Sequence, residues 1–392
     1  MKDFIFSNPT RIIFGHSAYD FLISELKNYP IQKLLIHFGG NFAKKSGLLK
    51  NLEAMLDDNS IPYIELGGVM PNPRLSLVEK GIQLCKKEGV NFILAVGGGS
   101  VIDSAKAIAA GCCLSKKENL WDYYMDNSKT FSSCLPLGVV LTIPATGSES
   151  SKGSVITNEK TQAKRSAECD SMIPKFALLN PEITYSLPPY QTACGAADIM
   201  SHMMERYFTQ VSNTDLTDRL LEGAMRSILY NAPIAMQNPA DYNSRAEIMW
   251  TGTIAHNGLL DTGRIGDWGS HMIEHEVSGI YNIAHGAGLS IIFPAWMKYV
   301  YHENIPKFIQ FSHRVFDIDL DYASPENTIL EMIQRLENFF SSLNLPIQLS
   351  QIGIDHSRFQ EMAEKALINR PFIGHFKKLY KDDIISILQL AL

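Results

Sequence analysis

The sequence predicts two domains: an α/β N-terminal domain over residues 1–185, a parallel sheet with flanking helices, and an all-α C-terminal domain over 186–392. Three observations support this. A chain of 392 residues is longer than a single hydrophobic core usually organises. From residue 31 to 110, short apolar runs alternate with longer helical stretches, as in parallel strands joined by crossover helices. After SLPPY at 186–190 the strand signal fades, and helical periodicity continues to the C-terminus.

In chain order, KLLIHF (33–38) reads as a strand, 42–57 as a helix and IPYIEL (61–66) as a second strand. Residues 74–88 read as a helix, and NFILAV (91–96) as a third strand running directly into GGGS. Between 136 and 183 the short β-rich pieces LGVVLTIP, SVIT and KFALLNP are expected to complete the sheet. Long helices are expected over 189–208, 216–230 and 244–260. There is no internal repeat, low-complexity segment or long charge run.

Composition narrows the function classes. Apolar residues at 45% and charged residues at 19% describe an ordinary globular chain. A net charge of -6 argues against a broad electrostatic grip on nucleic acid or anionic lipid, so neither partner is expected. The six cysteines form no CxxC pair and suit the reduced thiols of a cytoplasmic protein. The N-terminal MKDFIFSNPTRIIFG is interrupted by Asp3, Asn8, Pro9 and Arg11, unlike a signal peptide. No run approaches the ~20 apolar residues that cross a bilayer.

Two constellations carry chemistry. In AVGGGSVIDSAKAIA, Gly97, Gly98, Gly99 and Ser100 lie between a buried strand and the start of a helix. Backbone N–H groups there are unpaired and sit at the positive end of the helix dipole, so glycines allow a pyrophosphate to approach. A plain strand-to-helix turn with Ser100 as N-cap is the competing reading, since the pattern is not GxGxxG. The first strand ends in HFGGN without the acidic residue that often binds a free adenosine ribose. Gly39, Gly40 and Asn41, followed by Lys44 and Lys45, leave room and positive charge for a 2′-phosphate, which favours NADP(H) over NAD(H). Alternatively both lysines lie on a solvated helix face.

The second constellation lies downstream. Asp198 and His202, four residues apart in GAADIMSHMMERYF, share one helix face. WGSHMIEHEVSG places His271 and His275 at the same spacing, and IAHGAG adds His285 beside two glycines. One carboxylate and three imidazoles suit one divalent ion, Fe(II) or Zn(II). The same letters offer a rival, because HMIEH matches the inverted zinc-peptidase pattern HxxEH, with His271 and His275 as ligands and Glu274 as general base. A peptidase would leave the GGGS loop and the Asp/His pair without a use.

The chain resembles the iron-containing (group III) alcohol dehydrogenases, and within them the branch of NADPH-dependent aldehyde reductases and butanol dehydrogenases. The resemblance runs through NPTRIIFG, HFGGNFAKKSG, MPNPR, GGGSVIDSAKAIA, LTIPATGSESSKGSVIT, LNPEITYSLPPYQTACGAAD and DWGSHMIEHEVSG, in the family's order. It implies a dinucleotide-binding N-terminal domain and a helical metal- and substrate-binding C-terminal domain. The implied ligands are Asp198, His202, His271 and His285, with His275 as a non-ligand histidine near the nicotinamide. Gly39, Gly40 and Asn41 would hold the 2′-phosphate. Gly98, Gly99, Ser100 and Asp103 would follow the pyrophosphate and ribose, with Thr142, Thr146, Ser148 and Lys164 completing the cofactor side. The branch usually has GGGS where this chain has FGGN, and IYNIAHG departs from its usual sequence before the last ligand. A homodimer and short to medium aliphatic aldehydes as substrates are implied at the same level, with hydride passing between cofactor and carbonyl. His275, one helical turn from a ligand, is expected either to relay a proton with the ribose hydroxyls or to support the metal ligands from behind.

Overall fold

The computed structural model describes residues 1–40, 42–126 and 128–392, and the side chain of Phe42 lies outside that description. The chain divides into two compact units, Asn8–Tyr185 and Met1–Ser7 with Ser186–Leu392. The first seven residues, expected in the α/β domain, therefore count with the helical unit. There the Met1 ammonium donates to the Ser212 carbonyl at 2.6 Å and the Lys2 N–H to the Gly263 carbonyl at 3.0 Å.

The α/β unit runs β1 (Arg11–Phe14), α1 (Leu22–Leu26), β2 (Leu34–Phe38), α2 (Phe42–Lys45), α3 (Leu48–Asp58), β3 (Tyr63–Leu66), α4 (Leu75–Glu88), β4 (Phe92–Gly97) and α5 (Gly99–Cys113). It continues with α6 (Leu120–Met125), β5 (Leu137–Leu141), β6 (Gly153–Asn158), β7 (Ala163–Glu168) and β8 (Phe176–Leu179). Six strands form a parallel sheet in the order β1-β8-β5-β4-β2-β3. Its central strands β2, β4, β5 and β8 are buried at every residue, as expected of a parallel sheet covered on both faces.

Two expectations need correction. The single helix over 42–57 is two, α2 and α3, because Gly47 between them adopts φ +78°, a left-handed conformation that ends one helix and lets the next begin. Within 136–183, β5 and β8 join the main sheet, but β6 and β7 pair antiparallel with each other as a separate hairpin. Their connection is short, so each satisfies the other's backbone. The place beside β8 belongs instead to β1, which hydrophobic periodicity did not single out.

The helical unit contains α7 (Pro189–Tyr207), α8 (Asp215–Gln237), α9 (Tyr242–His256), α10 (Gly269–Tyr281), α11 (His285–Val300), α12 (Ile305–Phe316), α13 (Pro325–Ser342), α14 (Phe359–Ala366) and α15 (Lys381–Leu390). Its core gathers Phe208, Phe293, Trp296, Phe308 and Phe311, all fully buried. α7 is buried along most of its length, so its polar residues face protein rather than water. Close approach of α11 depends on two glycines. A Cβ on Gly286 would lie 2.0 Å from the Cys194 carbonyl oxygen of α7, and one on Gly288 2.5 Å from Glu274 Oε1 of α10. Without side chains at these points, the start of α11 settles against both helices and carries His285 with it.

Candidate metal centre and nucleotide loop

In the helical unit, α7, α10 and α11 bring the four expected ligands together. Asp198 and His202 sit one turn apart on α7, His271 is in the first turn of α10, and His285 opens α11. Asp198 Oδ1 lies 3.6 Å from His202 Nδ1, 3.9 Å from His271 Nε2 and 3.7 Å from His285 Nε2. These separations are too long for hydrogen bonds. They approach the ~3.4 Å between donors that share a tetrahedral shell at ~2.1 Å from a metal. Asp198, His202 and His271 each offer a ligand atom within 4.8 Å of the others, and all three are buried. His202 Nδ1 has no hydrogen-bond partner among the described residues. Burial, reinforced by the neighbouring His256, His271, Arg206 and His285, holds His202 well below the ordinary histidine range and keeps it neutral, the form that ligates. The donor set therefore fits a divalent cation.

The back of this cluster is equally ordered. His271 Nδ1 bonds Glu205 Oε1 at 2.8 Å, and the same carboxylate accepts the backbone N–H groups of His271 and Trp268. His285 Nδ1 bonds Glu274, which also accepts from Ser278. Each carboxylate fixes the ring so that Nε2 faces Asp198. Burial pushes the Glu205 carboxyl up to about 8, while the two N–H donors and Arg206 pull it down. A cation at the centre would favour the carboxylate further. Trp268, at φ +65°, opens α10 with its ring 5.2 Å from that of His271 and under the Arg206 guanidinium at 4.7 Å. Left-handed backbone in so bulky a residue is costly and persists only where its surroundings enforce it.

This arrangement overturns the peptidase reading. An inverted peptidase site needs His271 and His275 to ligate together while Glu274 faces a water. Here His271 groups with Asp198 and His202, and Glu274 is fully buried against His285 and Ser278. His275 is half-buried, its ring 5.6 Å from that of His285.

The α/β unit assembles the loop that the sequence marked. Gly97 ends β4, Gly98 precedes α5 in an extended conformation, and Gly99 and Ser100 form its first turn, which no side chain among the described residues caps. A Cβ on Gly98 would lie 2.9 Å from Ile143 Cβ, and one on Gly99 2.3 Å from Thr146 Cγ2. The glycines thus let the stretch after β5 lie directly on the start of α5. Thr142 N–H donates to the Gly97 carbonyl at 3.1 Å, and Ser148 N–H to Thr146 Oγ1 at 3.1 Å. Open N–H groups at a helix start with a small-residue wall fit a pyrophosphate. Asp103 is buried, accepting from Ser148 Oγ at 2.6 Å and from Val155 N–H at 3.0 Å. Burial raises its carboxyl, opposed by Lys106, these two donors and Lys164. Lys164 itself is buried on β7, opposite Thr157.

At the end of β2, a Cβ on Gly39 would lie 3.6 Å from Val101 Cγ2 in the first turn of α5, and one on Gly40 would meet nothing within 4 Å among the described residues. Asn41 lies outside the described residues. Lys44 Nζ is 3.9 Å from Glu65 Oε2 and 5.1 Å from the Phe38 ring centroid, so Glu65 already draws part of its charge. Sequence reasoning passed over Glu205, Trp268 and Lys106. Glu205 follows His202 by three residues on one helix face, and Lys106 follows Asp103 by three in the quoted GGGSVIDSAK, so spacing could have marked both.

A family model described as "Iron-containing alcohol dehydrogenase" matches residues 9–181, and its C-terminal companion matches residues 192–392. The chain is 42% identical to the "Probable NADH-dependent butanol dehydrogenase 1" of Bacillus subtilis, covering 100% of both. It is 35% identical to the "NADPH-dependent aldehyde reductase YqhD" of Escherichia coli, covering 93% of each. A crystal structure of the NADH-dependent butanol dehydrogenase A of Thermotoga maritima superposes with a TM-score of 0.95 at 37% identity, over 100% of this chain and 99% of that one.

Proposed function

From the premise that the chain belongs to the iron-containing alcohol dehydrogenase family, and is a nicotinamide-linked oxidoreductase interconverting alcohols and aldehydes, we propose that it reduces short to medium aliphatic aldehydes with NADPH in preference to NADH. The observation that carries the metal-dependent reading is Asp198 Oδ1 facing three imidazole nitrogens at 3.6–3.9 Å, with two of the rings held from behind by buried glutamates. Asp198, His202, His271 and His285 would hold one Fe(II) or Zn(II). When bound, the ion supplies a Lewis acid for the carbonyl oxygen, and the dihydronicotinamide supplies the hydride.

The chain's own residues do the rest. Glu205 and Glu274 keep His271 and His285 in the ligating tautomer. Gly98, Gly99 and Ser100 receive the pyrophosphate on open N–H groups, and Thr142, Thr146, Ser148 and Lys164 flank it. Half-buried His275 can pass a proton between the reacting oxygen and solvent through its imidazole. NADP(H) preference is supported by the missing carboxylate after β2 and by the space at Gly40 among the described residues. Relatives carry names of both kinds, so the preference is this chain's own property to measure.

Homodimerisation is supported by the exposed Phe4, Ile5 and Phe6, of which Ile5 is 99% exposed. A cytoplasmic setting is supported by six free thiols. No helix is long and apolar enough to cross a membrane among the described residues. The test is oxidation of NADPH and NADH with butanal, before and after chelation and again after restoring Fe(II) or Zn(II). Turnover that needs aldehyde, depends on metal and favours NADPH is expected. Metal-independent turnover would sink the site, and NADH preference would sink the cofactor choice alone.

A further inference from the structure

Sulfur collects at one place in the α/β unit that neither the metal centre nor the phosphate loop employs. Cys134 lies shortly before β5, and Cys169 directly follows β7. Neither is in a disulfide, and both are half-buried. Ser171, in the turn after Cys169, joins them: its hydroxyl donates to Cys134 Sγ at 3.2 Å and lies 3.0 Å from Cys169 Sγ. The two thiols also interact directly. Cys169 is fixed from two further sides, its thiol donating to the Phe131 carbonyl at 3.0 Å and its backbone N–H to the Lys152 carbonyl at 3.1 Å.

Two sulfurs and a hydroxyl make a poor metal site, since a thiophilic ion takes three or four protein ligands. Among the described residues, no group of three ligand atoms close enough to hold an ion includes them. The chemistry left to a facing pair of thiols is closure to a disulfide, for which the sulfurs turn from the Ser171 hydroxyl toward each other. We propose that Cys134 and Cys169 are a modification site: hydrogen peroxide closes them into a disulfide, a dithiol reopens it, and the stretch between them is stapled while the bond lasts. That stretch, 135–168, holds β5, β6 and β7 with Thr142, Thr146, Ser148 and Lys164. Among reduced cytoplasmic thiols such a pair is open by default and closes transiently.

Cys169 takes the first step. Burial pushes the Cys134 thiol up to about 12, against a lowering bond from Ser171, which keeps it protonated near neutral pH. The Cys169 thiolate attacks one peroxide oxygen and the O–O bond breaks, leaving a sulfenic acid on Cys169, while the departing hydroxide takes up the proton that the thiol released and becomes water. The Cys134 sulfur then attacks the sulfenic sulfur. The S–S bond forms, the S–O bond breaks, and the second hydroxide leaves with the Cys134 proton as water. Two thiols and one peroxide thus give one disulfide and two waters, the sulfurs losing the two electrons that the peroxide gains. A cross-link of this kind restricts the unfolded chain, so closure raises stability.

The experiment treats the full-length protein, loaded with redox-inert Zn(II), with a small molar excess of hydrogen peroxide. Peptide mapping by mass spectrometry without reduction is expected to find Cys134 linked to Cys169, a link lost on adding dithiothreitol, while the exposed Cys113 remains open to alkylation. Oxidation should raise the thermal midpoint of wild type by at least about 3 °C and leave that of Cys134→Ser and Cys169→Ser unmoved. The absence of a Cys134–Cys169 link overturns the proposal, as does a link from either residue to Cys113 in its place. So does a link that leaves the wild-type midpoint where it was, or a shift that survives in both serine variants. Mapping and melting wild type before and after peroxide needs neither variant, so the test stands if one of them does not fold.

Discussion

Around the nucleotide loop the buried polar groups close on one another: Lys106 meets Ser148, Ser151 and Gly153, and Asp103 meets Ser148 and Val155. Around Asp198 the ligand atoms of several side chains instead converge on one point. Three imidazole nitrogens stand off at 3.6–3.9 Å, and the nearby guanidinium of Arg206 is directed elsewhere, to Asp261 at 2.9 Å and to the His202 carbonyl at 2.8 Å. The α/β unit carries its own cation and presents neutral N–H groups outward, so it suits an anionic ligand. The helical unit converges ligand atoms on one point while the Arg206 guanidinium beside it bonds Asp261 and the His202 carbonyl, so that point suits a metal. Each region leaves open the sign of charge that its ligand would bring.

The largest effect that would break this comparison is at the metal. His271→Ala or His285→Ala should lower kcat/KM by at least about 100-fold and reduce bound metal, while cofactor affinity of the α/β unit stays near wild type. Metal analysis beside cofactor titration decides it, and full activity in either variant removes that residue from the centre. Next come the residues behind the ligands. Glu205→Gln and Glu274→Gln should weaken metal affinity by about 10–100-fold, read as the chelator concentration that half-empties the protein. If neither variant moves that concentration, the glutamates are only packing.

A smaller change sharpens the nucleotide side. Gly39→Asp puts a carboxylate where a 2′-phosphate is expected, and repulsion at about 4 Å with an effective dielectric near 20 is worth a few kcal/mol before screening, so selectivity should move at least about tenfold toward NADH. An unchanged NADPH/NADH ratio of kcat/KM would mean that Gly39 does not face the adenosine ribose. The smallest effect is a pH slope. Burial pulls Lys106 from 10.5 down to about 8, against the opposing pull of Asp103, Glu149, Glu168 and Cys134. Between those values the unfolded chain holds a proton that the native lysine has released, so stability should rise with pH across that window. Urea midpoints from pH 8 to 10 should climb more steeply in wild type than in Lys106→Met, and equal slopes would contradict the buried ammonium.

Local patterns made much of this legible. β2, β3 and β4 follow from apolar runs at 34–38, 63–66 and 92–97, and α5 from the glycines and serine at its start. The i, i+4 spacing put Asp198 and His202 on one face, and the glycines beside His285 proved to be the reason it reaches them. What stayed hidden depends on pairing in three dimensions. SVIT in β6 read as part of the main sheet and β7 was not singled out, because no linear signal says which partner a strand will choose. Residues 42–57 read as one helix, and only the φ of +78° at Gly47 shows the break within it. Glu274 occupies the place of a general base in HMIEH, yet burial and the approach of α11 turn it toward His285. Lys106 looked like any helix lysine, since sequence cannot show that three acceptors await it.

The most direct test of the metal centre is stoichiometry coupled to function: metal content and NADPH-dependent butanal reduction of wild type, Asp198→Ala, His202→Ala, His271→Ala and His285→Ala, each stripped by chelation and then reloaded with Fe(II) or Zn(II). The account predicts one divalent ion per wild-type chain, activity lost on stripping and regained on reloading, and substoichiometric metal with no recovery in all four variants. Four variants that reload one ion per chain and recover turnover would contradict it.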